Sequence, residues 1–477
     1  MVQIHPRRLD LITLAMTVAV LAGSAPRAAA QGGPTESFLN QQQAARRAIW
    51  DQIDDELSPA QAADFDYGGS YTFHLFVYDD GVQSSRTFRR NDLRLWSRVV
   101  LDEGAHEFFA RVRLSYLDFN TGDSYDGNDD DWDGPNLERG FYRFDLRKAL
   151  RAAGRDSLDW NLQLKLGRDL TKFGTGLALW QVLDQANVQL TAAGFEWTAL
   201  VAQTVGSQLD IDRSRPLDRS RRAFFGGQVR YLGWEQHRPF AYALWQSDHN
   251  RETFPTPLQQ FDYDSYYLGI GSEGELIDRL RYGAEFVYEG GKSYGNRRAF
   301  RRDDIHAWAF DAQLEYLFDH PTQPKASFEY LFASGDDDRY ASPTNAIGGN
   351  RFDRTDRSFN AFGYRDTGLA FAPVISNLHM WRAGASFYPF AGDRRLDRLE
   401  LGTNWFLYWK NHHEGAVSDP TANRRSGYLG WEMDYYANWQ ITNDLSWTVR
   451  GGLFFPGDSF ADESTRPFVL TGINWSF

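Results

Sequence analysis

Seven basic side chains recur at alternating positions in four short segments: Arg94 and Arg98, Arg111 and Arg113, Arg139 and Arg143, and Lys165. Guanidinium and ammonium groups attract anions, and partial dehydration in a narrow passage strengthens that attraction. Later in the chain the equivalent positions are mostly acidic: Glu285, Glu289, Asp311, Glu315, Glu329, Glu400, Glu432 and Asp434, interspersed with Arg382, Lys410 and Arg450. Set on neighbouring strands about 4.8 Å apart, the first group makes an electropositive patch and the whole a lumen of segregated charge. For any one of these residues an ion pair that keeps a wall rigid and wetted is the simpler role. For the patch together anion selectivity is favoured, because adjacent like charges repel unless anions or acids compensate them.

Other motifs fail on spacing or context. The acidic run from Asp123 to Gly134 invites a calcium site, yet counting from Asp126 the required glycine position holds Asp131 and the closing glutamate position holds Leu137. A solvated loop is the better reading there, and Asp336-Asp337-Asp338 is a weaker candidate still. Gly269-Ile270-Gly271-Ser272-Glu273-Gly274 matches a dinucleotide fingerprint in letters, but the segment after it has strand periodicity where a helix is required. Ten histidines include no His-Glu-x-x-His helix and no partner for a Gly-x-Ser-x-Gly elbow, and His412-His413 has no acidic or nucleophilic context. Cysteine is absent, which removes thiolate metal sites and cysteine nucleophiles. No enzyme activity, cofactor or metal is expected.

Such side chains need a scaffold that alternates. Residues 1–30 carry Arg7 and Arg8, an apolar run from Leu11 to Gly23, and Ala28-Ala29-Ala30, the layout of a secretory signal peptide. The apolar run is shorter than the ~20 residues a spanning helix needs. Phe38, Ala45, Ile49, Ile53 and Leu57 recur near a helical period before Ser58-Pro59, so 31–64 reads as a periplasmic segment with one short helix. From 65 to 477 the period is two, in segments of about ten residues separated by Gly, Asp, Asn and Pro clusters. Leu93, Leu95, Val99 and Leu101 alternate with Arg94, Trp96 and Arg98; Trp431, Met433, Tyr435, Ala437 and Trp439 alternate with Glu432, Asp434, Tyr436 and Asn438.

Segments centred near 70, 95, 110, 142, 163, 188, 199, 227, 242, 267, 284, 310, 330, 382, 404, 434, 449 and 472 predict an all-β, antiparallel, up-and-down transmembrane barrel of about 18 strands. A barrel of that size has room for an aqueous channel. The longest polar connections, 118–136, 205–221, 246–260, 334–374 and 411–426, belong outside the cell. Mean hydropathy is −0.55 although 16% of residues are aromatic, which suits a wall that is apolar only on its lipid face. Net charge is −13, and −15 once a leader of charge +2 is removed, which argues against nucleic acid as a partner. Phe477 ends the chain within a strand, like the signal read by the outer-membrane assembly machinery.

Several short motifs resemble the bacterial alginate-export family of outer-membrane barrels. They are Gly167-Arg168, Gly174-Thr175-Gly176-Leu177-Ala178-Leu179, Ala333-Ser334-Gly335-Asp336, Ser376-Asn377-Leu378, Gly430-Trp431-Glu432-Met433-Asp434 and Gly452-Leu453-Phe454-Phe455-Pro456-Gly457, in order along 65–477. The resemblance implies an eighteen-stranded monomeric barrel with a charged, arginine-rich constriction that passes a polyuronate outward. Of the expected lining residues, Arg168, Glu432 and Asp434 lie within these motifs. The expected function is an outer-membrane channel for passive passage of anionic saccharides, with export of a polyuronate such as alginate as its narrower form. Its partners would be outer-membrane lipid, anionic polysaccharide or small anionic or sugar solutes, and a periplasmic export partner. The alternatives are a general small-solute porin, or a surface-binding or structural barrel acting through its long external loops.

Overall fold

A chain whose side chains alternate between lipid-soluble and charged satisfies its backbone only by pairing strand to strand until the sheet closes. The computed structural model describes residues 63–477 except 84, 125–128, 156–157, 207–210, 212–219, 251–262, 297–300, 340–349 and 351. The expected signal peptide and the helix within 31–64 lie outside the described residues.

The first strands are β1 (Ala63–Tyr78), β2 (Arg86–Leu101), β3 (His106–Phe119) and β4 (Asp131–Asp145), followed by a short helix, α1 (Leu146–Ala152). Then come β5 (Asn161–Phe173), β6 (Leu179–Ala192), β7 (Phe195–Thr204), β8 (Arg222–Tyr231), β9 (His237–Asp248) and β10 (Asp264–Ile277). The series continues with β11 (Leu280–Asn296), β12 (Arg301–Leu317), β13 (Lys325–Ala333), the two-residue β14 (Thr355–Asp356) and β15 (Leu378–Phe387). It ends with β16 (Leu399–Trp409), β17 (Tyr428–Gln440), β18 (Leu445–Pro456) and β19 (Arg466–Ser476).

Every strand except β14 belongs to the wall, each antiparallel to its neighbour in sequence, and β1 pairs with β19 from Ser70↔Ser476 to Tyr78↔Phe468 to close it. The wall therefore has eighteen strands, and each of the eighteen segments read from the sequence falls inside one of them. Phe477 extends the seam, exchanging backbone hydrogen bonds with Gly69 in both directions.

Both ends of the described chain lie at the end with the tight connections, which for single-chain barrels is the periplasmic one. There the β6–β7 turn is only Ala193-Gly194, both at positive φ, the geometry that matches the twist of a two-residue hairpin. The strand ends that bound the long connections predicted from sequence lie together at the opposite end. One of them is shorter than expected: Asp131, Trp132 and Asp133 belong to β4, paired with Leu117, Tyr116 and Ser115. Their Asp-rich composition reads as loop, and the pairing of Trp132 with Tyr116 on the outer face overrides it. Helix α1 was not expected. Its start carries a local signal, Asp145 accepting from Lys148 N as an N-cap.

Outward positions are large and apolar, among them Leu95, Trp197, Phe225, Ile270, Trp308 and Trp405. In water they would form a continuous apolar surface of the kind monomers avoid, whereas against lipid they are in their own solvent. The buried core lies inside the barrel, where external connections fold inward: Phe359, Phe362, Leu369 and Phe371 pack against Phe224, Tyr267, Tyr408 and Phe454 of the wall.

Candidate pore-lining site

On β2 to β5 the inward residues include the seven expected cations, an eighth, Arg90, that was not expected, and a set of acids between them. Glu138 collects three arginines: Arg94 at 3.2 Å, Arg111 at 2.8 Å and Arg113 at 3.5 Å. Asp92 binds Arg90 at 2.9 Å and Arg94 at 3.0 Å, and Asp133 binds Arg113 at 2.9 Å. Nearer the periplasm, Glu107 joins Arg98 at 2.8 Å and Arg143 at 2.6 Å, while Asp169 joins Arg139 at 2.6 Å and Lys165 at 2.8 Å. Eight cations thus share five carboxylates, and the surplus is positive. Trp96, Phe109 and Phe141 stack across the same three strands, and Arg139 and Lys165 sit over the Phe141 ring. The rings hold these cations upright by cation–π attraction.

Among the acids, Glu138 owes its place to a bulge. Arg111 opposes Arg139 and Val112 opposes Leu137, so Glu138 is the extra residue, turned to the same face as Arg139. Asp92, Glu107 and Asp169 follow plain alternation with Arg94, Arg111 and Lys165. These four acids were absent from the sequence reading, and they supply the compensation that the clustered cations require.

The second half of the barrel uses its acids differently. Two external connections fold into the lumen, and wall carboxylates hold them down. Glu285 on β11 accepts from Thr175 N at 2.9 Å, from the Thr175 hydroxyl, and from Tyr242 Oη at 2.6 Å. Asp311 accepts from Arg365 Nε at 2.6 Å, and Glu289 accepts from Asn360 N at 2.8 Å. The two inserted segments pair with each other, Phe362 N to Ala178 O at 3.0 Å and Trp180 N to Phe362 O at 2.8 Å.

Further round, Glu432 on β17 receives three consecutive backbone amides, Leu369 N, Ala370 N and Phe371 N, at 2.6–2.9 Å. Gly368 enters this turn at φ +105, and a Cβ there would lie 2.8 Å from Glu432 Oε1 and 2.6 Å from Tyr408 Oη. Arg382 bridges Glu329 at 2.5 Å and Asp366 at 3.1 Å, tying the same loop to β13 and β15.

The fifteen expected lining residues therefore separate. Arg94, Arg98, Arg111, Arg113, Arg139, Arg143 and Lys165 come together on one inner wall and keep part of their surface accessible. Glu285, Asp311, Glu432 and Asp434 are buried beneath the inserted loops instead of facing an open lumen. Arg382 and Arg450 are partly accessible, Arg450 standing over the Tyr436 ring. Glu315 pairs with Lys325 at 3.6 Å near the periplasmic end.

Arg168 is a correction. It pairs with Asp184 at 2.7 Å and donates to Leu137 O at 2.8 Å, and both charges share the outward face with Leu166 and Val188. A motif match put it in the lining, whereas alternation with buried Asp169 puts it outside. It sits where β4 leaves β5: their pairing runs from Asp145 and Gln163 only to Gly140 and Arg168, so the guanidinium replaces a missing ladder bond. Among the described residues no group of three or more His, Asp or Glu side chains is arranged to hold a metal ion, and Asp126 of the acidic run lies outside them.

A closed eighteen-stranded wall, loops folded into a charged lumen and an apolar outer face define a bacterial outer-membrane channel for solutes. The chain belongs to the alginate export family, whose sequence profile matches residues 77–468. No curated protein sequence matches at a significant level. The fold is similar to that of Pseudomonas aeruginosa OccK5 (OpdH), with 11% identity over 86% of this chain and 98% of that one and a TM-score of 0.51. It is also similar to OccK8 (OprE) of the same organism, with 11% identity, 87% and 98% coverage and a TM-score of 0.52. A BenF-like porin from Pseudomonas fluorescens Pf-5 gives 11% identity, 87% and 98% coverage and a TM-score of 0.51.

Proposed function

We propose that this barrel passes anionic saccharides down their gradient, with a polyuronate such as alginate as the cargo that best fits, and that it performs no catalysis. The observation that carries this reading is the β2–β5 wall, where eight cations share five carboxylates. A carboxylate entering the lumen can take up the donors these acids leave unused. Arginine suits that role because its planar fork meets a carboxylate with two parallel hydrogen bonds. The cations nearest the periplasm, Arg143 and Lys165, are the more open ones, each with more than a quarter of the side chain accessible, against 11% for Arg94.

The test is a reversal potential across a planar bilayer in a salt gradient. Anion preference in the native channel, reduced several-fold by Arg111→Ala with Arg143→Ala, is the expected result. Cation preference untouched by that double substitution would sink the reading. A sealed barrel with no conductance would favour a protein that works through its external loops.

A further inference from the structure

Every lumenal cation on β2–β5 is shared with an acid, whereas the β4–β5 connection at the periplasmic rim carries four cations that have no acid partner among the described residues. Helix α1 and the residues after it carry Arg147, Lys148, Arg151 and Arg155, and none of these four has an ion pair among the described residues. Lys148, Arg151 and Arg155 are exposed, and Arg147 is half-buried. The nearest acid on the strand, Asp145, is buried and already taken, accepting from Lys148 N, Asn161 Nδ2 and Gln163 Nε2.

The rest of this rim differs in net charge: even the β15–β16 connection, whose Arg394, Arg395 and Arg398 are also without an ion pair among the described residues, offsets them with Asp393 and Asp397. The β4–β5 connection, residues 146–160, holds four basic residues against Asp156 and Asp159, and no other connection at this end exceeds a net charge of +1. At the β10–β11 turn, for example, Arg279 is matched by Asp278 and Asp319. The positive end of α1 also joins the basic wall directly: Arg143 precedes the cap by two residues on the inward face, and Lys165 opposes Arg143 on β5. At the far mouth, Asp129, Asp130 and Asp131 are exposed and acidic.

We propose that α1 and the turn after it form the loading site at which an anionic polysaccharide first binds at the periplasmic mouth, before passing to Arg143 and Lys165. This rests on the reading of the lumen as an anion path. The anchoring of α1 favours a polymer at the mouth over a lipid headgroup. Its first turn is tied to Asp145 and Asn161, with Gln163 donating to Asp145, all three on the inward face. Helices that lie on a membrane surface expose large apolar side chains, whereas Leu146 and Leu150 of α1 are half-buried and its exposed residues are mainly basic. Unpaired, exposed charge acts on capture rate more than on residence, because steering works at long range and is screened by salt.

The experiment uses the full-length protein in a bilayer of neutral phosphatidylcholine, inserted in known orientation, with oligogalacturonate as the blocking probe. Lys148→Ser with Arg151→Ser and Arg155→Ser should lower the frequency of blockades from the periplasmic chamber about tenfold at low salt. Open-channel conductance, blockade duration and frequency from the external chamber should stay unchanged. An unchanged periplasmic frequency, an equal loss from both chambers, or a loss seen only after anionic lipid is added would each overturn the loading site. A native channel without anion preference would overturn the lumen reading and the loading site together. Anion preference that persists with an unaltered periplasmic frequency would overturn the loading site alone.

Discussion

The walls β2–β5 and β11–β17 both carry inward carboxylates, yet the carboxylates do opposite work. On β2–β5 five of them lie among eight cations, as Glu138 does among Arg94, Arg111 and Arg113, so they hold cations in place and leave most of them partly accessible. On β11–β17, Glu285, Glu289 and Glu432 lie under a loop and accept its backbone amides. The partner decides the difference, since Asp92 and Asp169 are as buried as Glu285 and Glu432. A carboxylate facing guanidinium groups trims the charge of a pore, whereas one facing buried peptide N–H groups becomes a fastener, because an amide left unpaired there costs about 1–3 kcal/mol.

The sharpest way to break this contrast is to cut a fastener. Glu432→Ala strands three amides and frees the turn at 368–371. It should lower stability to guanidinium by about 4 kcal/mol and give a larger, noisier single-channel conductance as the loop leaves the lumen. A quiet channel of unaltered conductance would mean that Phe371, stacked on Phe454 at 4.4 Å, holds the loop without it.

Removing an acid from the other wall should act differently. Glu138→Ala leaves Arg94, Arg111 and Arg113 short of a partner, at a cost of about 3 kcal/mol. The loops stay in place, so conductance should change little while the anion-to-cation permeability ratio rises. A fall in that ratio would show that these arginines need Glu138 to point into the path.

How much of the contrast was legible follows from its parts. The eighteen strands were legible because period-two alternation runs over most of each one and the turn residues break it. Seven of the eight cations of β2–β5 came with that alternation, and by the same parity so could Arg90, Asp92, Glu107 and Asp169 have come. Glu138 could not, since plain alternation from Arg139 sends it outward and only the bulge brings it back. The fasteners were legible as inward acids but not as fasteners: Glu432 lies more than sixty residues from the amides it holds, and no local pattern marks a loop that folds inward. Arg168 was misplaced because a short motif was given more weight than its neighbours, although Leu166 and Leu170 on either side already declare the lipid face.

That outward pair adds a third environment, in which a charge pair stands on the lipid side of the wall. Arg168→Leu should cost about 2–4 kcal/mol, since Asp184 is left without its counter-charge on the lipid side and Leu137 O loses a donor. Adding Asp184→Leu should recover most of that loss, and a double variant no better than the single one would assign the effect to the β4–β5 seam alone.

The smallest effect belongs to the one expected lining acid that is neither covered nor outnumbered. Glu315 pairs with Lys325 at 3.6 Å, with about a third of each side chain accessible near the periplasmic end. Solvent screening leaves such a pair little energy, so Glu315→Gln should shift stability by less than about 0.5 kcal/mol and leave selectivity unchanged in the same bilayer measurement. If it instead altered selectivity as strongly as Glu138→Ala, local charge would govern passage wherever it stands. The division between a wall that trims charge and a wall that fastens loops would then lose its meaning for transport, although it would remain true of the fold.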